Sequence, residues 1–317
     1  MDWREFGRLI RHLRFELAES EMRKITQEEL DRRCGFPLGT IGRIERGDMR
    51  RLDHQHLVAL ANAFRLTRLE RREFFLAANG VPTEQIYHYP GAPDPEQELE
   101  MLLEGIRELP YPALVTDVYM DLVLVHPSIL HLSDISEDIL EQARSYQIVP
   151  NVLCHLFHPQ FHFESMFLDP SDWFRLAVAH VQSFRRTTLR YRTRRYWDYL
   201  MHRLQTDNAH LWSNFRVFWL QAEMRREWDG NTNRRYRVRH PKHGLLDYLL
   251  VVSEESTAHG PLYVAIYMPM DDITHKTFSR LQAEERDKQW LRLAPWPERE
   301  KERVIPEDFK PPKRRRI

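Results

Sequence analysis

The chain has 317 residues, which is enough for two domains of ordinary size. Its formal net charge is zero, so any attraction to a polyanion must come from local clusters of charge. Two cysteines are too few for a disulfide framework, and no apolar stretch approaches the length of a membrane span or resembles a secretory leader. We therefore expect a cytoplasmic protein.

Hydrophobic spacing predicts a compact, all-α domain over residues 1–80. Apolar residues at helical spacing predict the first helix over about residues 3–20. Asp53 and Thr67 are N-cap residues for the two helices that close the domain, and Glu70 completes a capping box with Thr67. Five helices in about 80 residues are enough to form a core of their own.

Residues 25–48 predict two short helices joined by a tight turn. Thr26 caps the earlier helix, and Gly35 ends it, because glycine tolerates the left-handed conformation. Pro37 suits the first turn of the later helix, which we expect over about residues 37–46. Such a pair can place its second helix in the major groove of DNA.

This stretch resembles the helix-turn-helix of the Cro/C1-type (XRE) transcription regulators. The likeness is carried, at the family's spacing, by Gln27, Leu30, Gly35, Ile41, Ile44, Glu45 and Gly47. It implies that residues 1–80 bind a double-stranded DNA operator. The alternative is a helical hairpin with no role in DNA binding.

The candidate DNA-binding residues lie at the starts of the two helices and just beyond the second one. They are Thr26, Gln27, Leu38, Gly39, Thr40, Arg43, Arg46, Arg50 and Arg51. We expect Arg43 to read a base, because its fork fits guanine O6 and N7. Thr40 could contact a phosphate or a thymine methyl, and Leu38 either a thymine methyl or the core. The last three arginines would contact phosphates or form a solvated basic loop.

The remainder predicts a linker and an α+β domain. Residues 81–105 combine a proline-rich linker with a connecting helix, and the second domain spans residues 106–275. Apolar runs at 113–116 and 122–125, then several helices, then three strand-like runs between 235 and 268, predict a five-stranded antiparallel sheet with helices on one face. This order of elements is PAS-like.

This half resembles the ligand-binding domain of MmyB-like transcription regulators. The likeness is carried by residues 111–124, 151–161 and 215–252. Where the family continues after the second strand with a Trp-Asn-Arg-like stretch, this chain has His126-Pro127-Ser128. The resemblance implies a PAS-like pocket for an apolar small molecule, with a fatty-acyl chain as one candidate.

Aromatic side chains are the candidates for lining such a pocket, because ligand sites are apolar and rich in aromatic residues. At helical spacing the same residues also fill cores, and both interpretations stay open. The candidates are Phe157, Phe174, Trp212, Phe215, Trp219, Tyr248 and Tyr263.

Basic segments and scattered histidines leave further interpretations open. Residues 185–195 are a solvated helix face, a contact for DNA or anionic headgroups, or a surface for a partner. Residues 276–317 predict a charged, flexible tail, in which Lys313–Arg316 would add non-specific attraction to DNA. The histidines lack the tight pairing of a zinc site, so we expect no metal, and we expect no cofactor either.

These features favour a DNA-binding transcription regulator that senses a small apolar ligand, acts as a homodimer and is associated with the nucleoid. The alternative is a DNA-binding adaptor whose second domain recruits a protein and binds no small molecule. We do not expect an enzyme, because the sequence shows no nucleophile elbow, phosphate-binding glycine loop or metal-ligand spacing, and hence no catalytic residues.

Overall fold

A computed structural model describes residues 1–49, 51–81, 86–225, 233–285 and 288–311. The N-terminal domain has the five helices that the spacing predicts. They are α1 (Trp3–Ser20), α2 (Gln27–Cys34), α3 (Thr40–Arg46), α4 (His54–Ala63) and α5 (Arg68–Ala77). Their buried apolar side chains, including Phe6, Leu30 and Ile41, form a single core. No helix in the described ranges is long and apolar enough to cross a membrane.

The predicted caps are confirmed, but the third helix begins later than predicted. Asp53 and Thr67 accept hydrogen bonds from backbone N–H groups of the helices that they start. Gly35 ends α2 with φ of 69°. Pro37, however, lies in the turn, and α3 begins only at Thr40. Residues 37–39, which we predicted to form the first turn of the helix, instead belong to the connection between α2 and α3.

The C-terminal domain alternates helices with the strands of a single sheet. Its first half contains α6 (Pro95–Ile106), β1 (Ala113–Thr116), β2 (Leu122–Val125), α7 (Pro127–Leu132), α8 (Glu137–Arg144) and α9 (Val152–Phe157). Its middle contains α10 (Pro170–Thr188), α11 (Arg195–Thr206) and α12 (Ala209–Met224). Its last part contains β3 (Arg234–His240), β4 (Gly244–Thr257), β5 (Gly260–Pro269), α13 (Asp272–Glu284), β6 (Leu291–Arg292) and α14 (Glu298–Lys301).

The sheet is antiparallel and has the strand order β3-β4-β5-β1-β2-β6. The predicted hairpin pairs Leu114 with Val125, and β1 also pairs with β5, where Leu114 lies opposite Ala265. The prediction of five strands misses β6, whose two residues pair with Leu124 and Val125. So short a strand has no alternation from which a sequence pattern could detect it.

Helices cover both faces of the sheet, whereas the sequence predicted helices on one face. Helices α7 and α9 to α13 share a hydrophobic core with the face that carries Leu114, Tyr248 and Leu250, and α8 lines a cavity at that face. Helix α6 packs on the opposite face, where its Leu99 and Leu103 meet apolar strand residues. The segment interpreted as a connecting helix is therefore part of the second domain's core.

The predicted flexible tail is also corrected, because residues 288–311 are integrated into the C-terminal domain. Trp296 packs in the layer beneath α6, and Ile305 joins the larger core on the other face. Lys301 is fully buried. Lys313–Arg316, the basic arm, lies outside the described residues.

Candidate DNA interface and ligand chambers

The turn between α2 and α3 is fixed by a buried carboxylate that the sequence analysis missed. Asp31 accepts hydrogen bonds from the backbone N–H groups of Gly39 and Ile41, each at 2.7 Å. Gly39 has φ of 85°, a left-handed conformation that side chains disfavour. Asp31 thus takes the N-capping role at the start of α3, and residues 37–39 become a turn that projects from the domain.

The base of α3 is held by a second polar contact. Glu45 accepts two hydrogen bonds from Arg14, at 2.7 and 3.0 Å, and one from Gln27 at 2.7 Å. The bidentate arginine pair anchors α3 to α1, and the Gln27 contact links it to the first residue of α2. Both helices of the motif are therefore placed relative to α1 before any DNA is bound.

Most of the predicted DNA-binding residues are exposed to solvent. Leu38 is 73% exposed, which argues against its alternative place in the core. Arg43 and Arg46 are exposed on α3, although Arg46 also forms an ion pair with Asp48 at 2.8 Å. The remaining exposed candidates are Thr26, Gln27, Gly39 and Arg51.

Two candidates are not among these exposed residues. Thr40 is only 2% exposed, because the later start of α3 turns its side chain into the domain. It is therefore withdrawn as a base-reading residue. Arg50 lies outside the described residues.

An apolar chamber lies in the C-terminal domain between the sheet and helices α7 to α10. It encloses about 100 Å³. Its walls include Leu114, Ile139, Leu140, Cys154, Leu176 and Tyr248. The aliphatic members come mainly from residues 129–156, to which the sequence analysis gave no binding role. Their helical spacing signals burial, but it does not distinguish a cavity wall from a filled core.

A larger chamber adjoins the apolar one, and we call it the polar chamber because charged side chains lie among the apolar ones in its walls. It encloses about 490 Å³, and its walls include Asp117, Ser183, Arg186, Thr187, Glu254 and Tyr263. Arg186 lies 3.8 Å from Glu254 and over the ring of Tyr263. The two chambers share a wall formed by Leu114, Val152, His180, Leu250 and Tyr267. An apolar space and a charged space therefore meet within one domain.

The histidines and the tyrosine Tyr267 that line the apolar chamber are uncharged near pH 7. Burial, with a smaller contribution from His180, lowers the pKa of His155 to about 4. Burial also lowers the pKa of His180 and raises that of Tyr267 to about 12. Both imidazoles and the phenol are therefore uncharged. Among the described residues that line the two chambers, Arg186 is the only lysine or arginine.

The structure divides the aromatic candidates among several environments. Tyr248 lines the apolar chamber and Tyr263 the polar one. Phe157 and Phe174 pack against Phe218 in the helical layer and line neither chamber. The other three line a separate cleft of about 460 Å³ between α12 and α1, and they are Trp212, Phe215 and Trp219.

A buried ion cluster lies beneath the turn that joins β1 to β2. The Lys301 ammonium is 2.7 Å from Asp117 and 2.6 Å from Asp121. Burial raises the pKa of Asp117 to about 6, against the opposing charge of Lys301. Asp121 also accepts hydrogen bonds from Asn151 at 2.7 Å and Tyr196 at 2.5 Å. Because Asp117 lines the polar chamber, the cluster braces one of its walls.

Within the described ranges, no group of three His, Cys, Asp or Glu side chains could hold a metal ion.

Two family models match the chain. The model for the MmyB-like transcription regulator ligand binding domain matches residues 95–281, which is more than half of the chain, and a helix-turn-helix model matches residues 21–70. No curated protein matches the chain significantly. Both resemblances are thereby confirmed. The chain belongs to the MmyB-like transcription regulators and combines a DNA-binding helix-turn-helix with a ligand-binding domain.

Proposed function

We propose that the helix-turn-helix reads an operator chiefly through Arg43. The exposure of Leu38 in the turn at residues 37–39 and of Arg43 on α3 supports this, because both side chains are free of the domain's core. Leu38 would contact a thymine methyl, and the free N–H groups at the start of α2 would hold a phosphate beside Gln27. A single short helix reads few base pairs, so we also propose that a homodimer binds two symmetric half-sites.

Selecting bound sequences from a random DNA pool tests this proposal. We expect two-fold symmetric half-sites whose centres are about one helical turn apart. Arg43→Ala should then weaken binding by about 1–3 kcal/mol and relax the preference at one base pair per half-site. Arg51→Ala is the matched control: it should weaken binding to all sequences alike and reduce the salt dependence. Unchanged sequence preference in Arg43→Ala would assign base reading to other residues.

We propose that the C-terminal domain senses a small amphipathic molecule, with a fatty-acyl chain as the leading candidate. The adjoining chambers are the observation that carries this proposal. The apolar end would lie against Leu140 and Tyr248, while an anionic end would reach the polar chamber and face Arg186. Because the apolar chamber encloses only about 100 Å³, a longer chain would also have to pass between the residues that the two chambers share and occupy part of the polar chamber.

Native mass spectrometry of the purified protein, with extraction of any bound molecule, tests this proposal. We expect a co-purifying amphipathic ligand in the wild type. Ile139→Trp should displace it, because the indole would fill the apolar chamber. Ile273→Trp is the matched control, since Ile273 is 65% exposed on α13 and lines neither chamber. A wild type that repeatedly purifies empty would favour the alternative, an adaptor that recruits a protein.

A further inference from the structure

The basic run at residues 185–195 docks onto the acidic side chains of the chain's own N-terminal domain. Arg192 donates to Glu70 at 2.8 Å and to Glu16 at 2.7 Å, and Arg185 donates to Glu70 at 3.1 Å. The interpretation of this run as a solvated helix face is wrong for Arg185 and Arg192, which are buried against the chain's own N-terminal domain. None of the three interpretations named this contact within the chain.

The joint formed by Arg185, Arg192, Glu70 and Glu16 is buried in this arrangement. Arg192 and Glu70 are both 0% exposed. Taking such charges out of water costs free energy that their mutual attraction only partly returns. Among the described residues, Arg185 Nη1 and Arg192 Nε also find no hydrogen-bond acceptor. Removing one partner from this joint would leave the remaining charges buried without compensation.

Helix α10 connects this joint to the ligand chambers. His180, Ser183 and Arg186 of α10 line the polar chamber, and Arg185 faces the opposite way, toward Glu70. Just beyond the end of α10, Leu189 packs into the hydrophobic core of the N-terminal domain. A displacement of α10 by a ligand would therefore act directly on the joint.

We propose that the Arg185–Glu70–Arg192–Glu16 joint couples occupancy of the chambers to the position of the helix-turn-helix. This proposal rests on the ligand-sensing function. A ligand that shifts α10 alters the fit of Arg185 and Arg192 to Glu70. The N-terminal domain then has two positions, one docked through this joint and one released from it, and the ligand binds the protein with different affinity in each. By linkage, operator affinity then depends on the ligand.

Glu70→Gln in the full chain isolates the charge of this joint. Glu70 also accepts a hydrogen bond from the Thr67 N–H at 2.9 Å, and a glutamine carbonyl can keep that capping contact. The variant therefore leaves the start of α5 intact while leaving Arg185 and Arg192 without their shared carboxylate. Arg72→Gln, at an exposed position of the same helix, is the matched control. Glu16→Gln serves as a second variant if Glu70→Gln does not fold.

Three measurements on each protein, with dodecanoate as the probe, test the coupling. They are dodecanoate binding by calorimetry, amide hydrogen exchange, and affinity for the selected operator with and without dodecanoate. We expect Glu70→Gln to bind dodecanoate within two-fold of the wild type and to exchange amides of α5 and residues 185–192 at least ten-fold faster. The effect of dodecanoate on operator affinity should fall to less than two-fold. Arg72→Gln should behave as the wild type in exchange and dodecanoate response.

The outcomes separate this proposal from the ligand-sensing function. If dodecanoate binds and alters operator affinity equally in the wild type and Glu70→Gln, the joint does not carry the coupling, although ligand sensing stands. If dodecanoate binds the wild type without altering operator affinity, the coupling is also refuted. If dodecanoate does not bind the wild type, fatty-acyl sensing fails and the coupling falls with it.

Discussion

Lys301→Met should destabilise the protein by about 3–5 kcal/mol, because it leaves Asp117 and Asp121 buried without a cation. Methionine fills a volume similar to that of lysine, so the decrease in the free energy of unfolding comes from the missing charge and not from a cavity. The stem of Lys301 lies among buried groups, including Tyr196, whose ring is 4.7 Å from the ammonium. Burial opposes the charge of Lys301, yet the two aspartates hold its pKa above the ordinary value.

Denaturant unfolding at several pH values checks this prediction. Without Lys301, the pKa of Asp117, which burial already raises, rises further in the folded state, so the folded variant binds more protons than its unfolded chain as the pH falls below neutral. The deficit relative to the wild type should therefore shrink as the pH falls from 7 toward 4. Lys310→Met, at an exposed position of the same segment, should change stability by less than about 0.5 kcal/mol. A deficit independent of pH would show that packing, and not the ion cluster, explains the loss.

Local signals in the sequence were sufficient to predict most of the helices and the first hairpin. Thr67 and Asp53 cap helices through contacts with residues three positions away, so their roles are legible in a short window. The strands β1 and β2 are likewise adjacent in sequence, with Asp117 and Asp121 at their turn. Such elements depend little on the rest of the chain.

The start of α3 and the order of the tail depend on contacts between residues distant in sequence. Asp31 binds backbone groups eight and ten residues away, and this contact overrides the preference of Pro37 for a first helical turn. Lys301 can be buried because it forms an ion pair with Asp121, and this partner lies 180 residues earlier in the sequence. The charge-rich composition around Lys301 therefore gave no sign that this segment is ordered.

The two chambers of the C-terminal domain were the least predictable feature. Tyr248 and Phe157 are both buried aromatic residues, yet only Tyr248 lines the apolar chamber. The spacing of apolar residues identifies the buried face of each helix or strand. Whether a cavity remains between two such faces depends on how closely the helices pack against the sheet. The walls from α8, such as Ile139 and Leu140, could be assigned only after α8 was placed against the sheet.

Gly7→Ala should destabilise the N-terminal domain by about 2–3 kcal/mol and weaken operator binding at least ten-fold. A Cβ atom at Gly7 would collide with the carbonyl oxygen of Ile44 and lie 2.8 Å from that of Glu45. These are backbone atoms of α3, which cannot rotate away as a flexible side chain can, so α1 and α3 must separate. Because α3 carries Arg43, the separation moves this proposed base-reading residue relative to the phosphate contacts that we propose at the start of α2.

Thermal unfolding, together with binding to the selected operator, checks this prediction. Gly105→Ala is the matched control, because a Cβ there meets no atom within 4 Å and the position is exposed on α6. That substitution should stabilise the chain by up to about 0.5–1 kcal/mol, since alanine favours a helix over glycine. Opposite signs for the same chemical change would establish that the close approach of α1 to α3, and not helix propensity, determines the effect at Gly7. If Gly7→Ala bound the operator normally, the position of α3 would not depend on this contact with α1.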